Sequence, residues 1–149
     1  MKVQRFEDLI CWQKARALTN SAYGLTRLPG FNKDFELVGQ IRRAATSAMS
    51  NTAEGFDRWT RKEFIRFHDI AKGSTGEVRS QLYVALDQHY ITSEQFEPVK
   101  AAALETSKVI GGLIGYLAEH SSTYTVRETA SETEPTHDLP PEFCRPLAT

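Results

Sequence analysis

The sequence has few of the residues that fix a fold covalently or through a metal. Its 149 residues hold two cysteines, Cys11 and Cys144, far apart and with no CxxC or Cys/His cluster beside them, which argues against a disulfide scaffold or structural zinc site. His68, His89, His120 and His137 show no ligand spacing with one another or with acids, and the Glu-x-x-His pairs of a di-metal carboxylate bundle are missing. No strand–glycine loop–helix signature for phosphate appears, and no nucleophile elbow. The longest nearly continuous apolar run, Val109–Ala118, is broken by three glycines and falls short of the roughly 20 residues of a membrane span. Acidic Glu7 and Asp8 stand where a signal peptide is apolar. These absences lead to the expectation of a cytoplasmic protein that is not an enzyme and carries no metal or cofactor.

Charge is present but unevenly spread. Residues 1–121 carry 16 Lys and Arg against 14 Asp and Glu, whereas 122–149 carry two against five. The same C-terminal stretch holds four of the six prolines among Thr, Ser and Glu. So little apolar surface predicts a disordered tail over 122–149, either solubilising or with a short partner-binding motif around Phe143.

Residues 1–121 show helical periodicity throughout and no sustained alternation. A first helix is expected from about Phe6 to Leu28, ended by Pro29-Gly30. A second runs from Asp34 to Gly55, with Leu37, Ile41, Ala44, Ala45, Ala48 and Thr52 on one side. The third opens at Thr60, with Glu63 at capping-box spacing, and continues through Phe64, Phe67, Ala71, Ser74, Thr75, Val78, Leu82 and Ala85 to His89. The fourth begins near Ser93, with Pro98 placing its regular start after a loose turn. Gly73-Ser74-Thr75-Gly76 reads as close helix packing or a local bend, and Gly111-Gly112-Leu113-Ile114-Gly115 as close packing or fraying before the helix ends. Short links make consecutive helices antiparallel neighbours, so the expected fold is an all-α, up-down four-helix bundle over 1–121.

Two polar features interrupt this pattern. Gln40, Arg43, Ser47, Asn51, Glu54 and Arg58 recur at three- and four-residue steps on one face of the second helix, which suits either a solvated face or a polar subunit contact. Immediately after it, Arg58-Trp59-Thr60-Arg61-Lys62-Glu63-Phe64-Ile65-Arg66 packs four cations and a tryptophan into a corner. With Arg42 and Arg43 these form a candidate basic surface that could neutralise phosphates while Trp59 stacks on a base or braces the turn.

The run Leu37–Gly55, with Lys62–Phe67 and Ala71–Glu77, resembles the four-helix-bundle family encoded in intervening sequences of bacterial 23S ribosomal RNA genes. That family includes the accessory variability determinant of diversity-generating retroelements. Phe6, Leu9, Trp12 and Gln13 fit as well. The resemblance implies a homopentameric, barrel-like ring, and its retroelement members bind nucleic acid and a reverse transcriptase. Carried onto this chain, Gln40, Arg42, Arg43, Asn51, Glu54, Gly55, Gly73, Ser74 and Glu77 match the motif, and the resemblance assigns them to fold and assembly. The expected function is a non-enzymatic, oligomeric accessory protein that binds nucleic acid through Arg42, Arg43, Arg58, Trp59, Arg61, Lys62 and Arg66. The alternative is a protein-interaction scaffold without nucleic acid.

Overall fold

The computed structural model describes residues 1–58, 60–120, 126–127 and 135–147. Four helices dominate: α1 (Ile10–Thr26), α2 (Phe35–Phe56), α3 (Arg61–Asp87) and α4 (Ser93–Glu119). Each packs on its sequence neighbours and α1 closes on α4, the ring order of an up-down bundle. None of the helices among the described residues is long and apolar enough to cross a membrane.

Local chemistry sets the boundaries. The expected first helix divides into a 3-10 turn over Phe6–Asp8 and α1, because Leu9 between them is extended. Gly30, at φ 89°, turns the chain after α1 in a conformation that an L side chain rarely adopts. Asp34 caps α2 by accepting the Leu37 N–H at 3.0 Å, and its other oxygen accepts the Tyr90 hydroxyl at 3.1 Å, tying two loops together. Thr60 caps α3 through the Glu63 N–H. For α4, Thr92 and Gln95 form a reciprocal capping box. The helix therefore starts at Ser93 and runs through Pro98 rather than beginning after it, since the box fixes the first turn and Pro98 forfeits a single backbone bond. His89 is exposed at φ 59° beyond the end of α3; it terminates the helix instead of extending the apolar seam.

The core has two parts. Leu18, Phe31, Ile41, Leu82 and Phe96 fill the end near the α1–α2 and α3–α4 loops. Leu9, Trp12, Phe56, Phe64, Ile110 and Leu113 fill the other. Each large side chain so buried contributes about 1.5–3 kcal/mol.

At this second end lies structure that periodicity did not announce. Lys2–Val3 (β1), Val126–Arg127 (β2) and Thr136–Asp138 (β3) form an antiparallel sheet of order β1-β3-β2. After β3 the chain continues across the bundle, burying Leu139 and Cys144. For residues 135–147 the expectation of disorder therefore gives way to a docked strap; the other residues of 122–149, Val126–Arg127 apart, lie outside the described residues. Too few apolar side chains are present there to form a core, but enough to join one already built.

Candidate functional site

The α2–α3 corner carries the expected basic surface, and the structure divides that surface into three. Arg42 turns toward α1: its Nε donates to Thr26 Oγ1 at 2.9 Å and its guanidinium lies 4.4 Å from the Tyr23 ring centre. Arg43, one residue and about 100° further round the helix, lines an open groove between α2 and α3. Both arginines are about 20 Å along α2 from the corner, so the seven expected residues do not form one continuous patch.

At the corner itself Arg58 pairs with Glu54 and lies 4.7 Å over the Phe67 ring. Arg66 approaches the same ring at 5.9 Å. Arg61 instead donates to the Leu117 carbonyl at 2.8 Å, satisfying a carbonyl in the last turn of α4. Lys62 and Arg66 are exposed. The corner's cationic surface thus consists of Arg58, Lys62 and Arg66, while Arg61 is largely a helix cap. Trp59 lies outside the described residues.

The polar stripe of α2 faces α3. Ser47 and Ser74 share a 2.8 Å hydrogen bond between their hydroxyls, and Asn51 donates to the Ser47 carbonyl and hydroxyl at 2.9 and 3.0 Å. Gln40, Arg43, Ser47, Glu77 and Gln81 line the open groove, about 430 Å³ in volume. The Gln81 Oε1 is buried with no hydrogen-bond partner among the described residues.

Gly55 is a true close approach, since a Cβ there would stand 2.9 Å from both His68 Nδ1 and Phe67 Cβ. The reverse holds for Gly73 and Gly76: a Cβ on either would meet nothing within 4 Å among the described residues. Close packing within the chain, the expected role of that cluster, does not account for them.

Sequence reasoning missed a cluster beneath the strap. His68 and His137 are both fully buried. The His68 Nδ1–H donates to the Phe64 carbonyl at 2.8 Å, leaving Nε2 to face Cys11 Sγ at 3.9 Å. The His137 Nε2–H donates to the Phe56 carbonyl at 2.6 Å, with the Phe56 and Phe64 rings at 4.3 and 4.8 Å. Burial pushes both imidazoles down to about 4, so they are neutral at pH 7. Burial also pushes the Cys11 and Cys144 thiols up to about 12 and 11, which suppresses their thiolates. Among the described residues no three His, Cys, Asp or Glu side chains converge as metal ligands. His68, four residues after Phe64 on the α3 seam, was detectable by spacing; His137 carried no such signal.

Comparison with curated proteins finds no match. The chain is similar to a solved structure from Bacteroides thetaiotaomicron, a protein with unknown function from the S23 ribosomal protein family. The two are 26% identical, the alignment covers 70% of this chain and 98% of that one, and the TM-score is 0.66. Residues 7–112 match the model of the 23S rRNA-intervening sequence protein family, spanning α1, α2, α3 and most of α4. With that match and four helices closed in one ring, the chain belongs to the 23S rRNA-intervening sequence protein family.

Proposed function

We propose that the protein is a non-enzymatic, oligomeric accessory protein that binds nucleic acid through the α2–α3 corner. The observation that carries this reading is the placing of Arg58 and Arg66 against one aromatic ring, Phe67, with Lys62 exposed one turn before Arg66 on α3. Cations so placed neutralise phosphates with release of counterions. One corner is a modest site, and its repetition around a ring multiplies it. The outer face of α3 supports assembly: Gly73 and Gly76 leave room for a close neighbour, and Ile70, Tyr83 and Val84 are exposed there. We place the five-fold ring and the partnership with a reverse transcriptase or ribosomal RNA within the same proposal.

The test joins light scattering with RNA binding. A mass of about 84 kDa, five times 16.8 kDa, with RNA affinity that falls steeply with salt and is lost in Lys62→Glu/Arg66→Glu, is the expected result. A monomer, or RNA retained equally by the double variant, overturns it. The second reading, a protein-interaction scaffold, is favoured by the exposed apolar side chains Ile70, Tyr83, Val84 and Leu104 on α3 and α4. It predicts a partner captured unchanged after nuclease treatment.

A further inference from the structure

Residues Thr136–Leu147 lie beyond the family match, which ends at residue 112, and they occupy a site that the rest of the chain builds. Three features define that site. An aromatic slot between Phe56 and Phe64 receives His137, with the Phe56 carbonyl at its floor. The apolar end of the bundle receives Leu139 and Cys144, and Phe143 lies against the Tyr116 ring and over Gly112. Polar clamps hold the margins: Gln13 Nε2 donates to the Arg145 carbonyl at 2.7 Å, and the Arg145 N–H donates to the Asp8 carbonyl at 2.8 Å. Side-chain slots combined with added strand pairing are the elements of peptide recognition by β-augmentation.

We infer that Thr136–Leu147 is a reversible strap, a peptide ligand that the chain carries for its own site, held at neutral pH and released when His137 takes up a proton. The inference stands apart from nucleic-acid binding. Strands of two and three residues are marginal alone, so docking depends on the anchors, and His137 is the anchor that is buried as a neutral ring and gains a charge when pH falls.

Among the described residues, groups around the imidazole come from α2, α3 and its own strand. From α2 comes the Phe56 carbonyl, and from α3 comes His68, which faces Cys11 of α1. Next to His137 on β3 stands Asp138, with the Met1 ammonium at 3.2 Å. The Phe56 carbonyl favours a charged ring, but burial opposes it more strongly and pushes the imidazole from 6.5 down to about 4. Released, the ring returns to its ordinary value. A fall in pH therefore draws the strap out.

Hydrogen exchange on the full chain, corrected for the intrinsic pH dependence of exchange, tests this. Protection of the Thr136–Leu139 amides should fall roughly thirtyfold between pH 7.5 and pH 5.0, while α2 and α3 keep theirs. His137→Phe should flatten that profile. Unprotected strap amides at pH 7.5 would overturn the docked state. Helices that lose protection in step with the strap would replace local release with global unfolding, and a pH profile unchanged in His137→Phe would move the gate to His68. Should that variant fail to fold, the wild-type profile alone decides between local release and its absence.

Discussion

His137 and Phe56 stand 81 residues apart in sequence, yet the imidazole of one donates to the main-chain carbonyl of the other at 2.6 Å. Phe56 is the last residue of α2, so its carbonyl is among those a helix leaves unpaired. The strap supplies the missing donor. One contact thus finishes a helix, seats the strap and braces the chain two residues before Arg58.

The two buried histidines make overall stability depend on pH in a fixed direction. Each has a native value of about 4 against 6.5 when solvated. Below pH 6.5 the unfolded chain binds protons that the folded chain refuses, so stability is lost as pH falls toward 4 and levels off below it. Each histidine should contribute a loss on the order of 2–3 kcal/mol by pH 4.5. Urea denaturation at pH 7.5 and pH 4.5 measures it, and equal midpoints would refute the neutral buried pair.

Two glycines in neighbouring helices should respond oppositely to alanine. Gly55→Ala forces a Cβ against His68 and Phe67 and should cost about 1–3 kcal/mol. Gly73→Ala meets open space in the single chain and should raise helix stability by about 1 kcal/mol. In the same variant, light scattering should show a smaller assembly, because the added methyl occupies the face assigned to a neighbouring copy.

Arg42 and the corner cations are separable. Arg42→Ala loses the Thr26 hydrogen bond and the Tyr23 ring contact. It should cost about 1–2 kcal/mol of stability with RNA affinity unchanged. Lys62→Glu with Arg66→Glu should do the reverse. Replacing Arg61 mixes the two effects, since it also uncaps Leu117; thermal melts beside binding isotherms distinguish them.

Thr92→Ala removes half of the capping box that starts α4 ahead of Pro98. A loss of about 0.5–2 kcal/mol is expected, read by chemical denaturation. Circular dichroism should also show lower helix content if the turn before Pro98 frays.

The four helices were legible because their apolar residues recur within single segments, as Phe64, Ala71, Val78 and Leu82 do on α3. The division of the basic surface was not read from the sequence, which joined Arg42 and Arg43 to the corner although Arg42 falls off the three-and-four spacing that links Gln40, Arg43 and Ser47. What local pattern could not show was the docking of the strap. Leu139 and Cys144 look like isolated apolar residues in polar sequence, and they join a cluster with Val3, Leu9, Trp12, Phe56, Phe64 and Ile110, all distant in the chain. Gly73 presents a different limit, since a Cβ there would meet nothing within 4 Å among the described residues.

The strand order β1-β3-β2 also has a kinetic meaning. Each helix finds its main partners next in sequence, and only the α1–α4 contact spans most of the bundle. The β1–β3 pair, by contrast, joins Val3 to His137, and contacts between such distant residues form late because the intervening chain must first be ordered. Refolding should therefore proceed in two stages: a rapid gain of helix, then a slower burial of His137 and Leu139. During the interval Phe56, Phe64 and the edge of β1 stand uncovered, which makes closure of the strap the step that competes with aggregation.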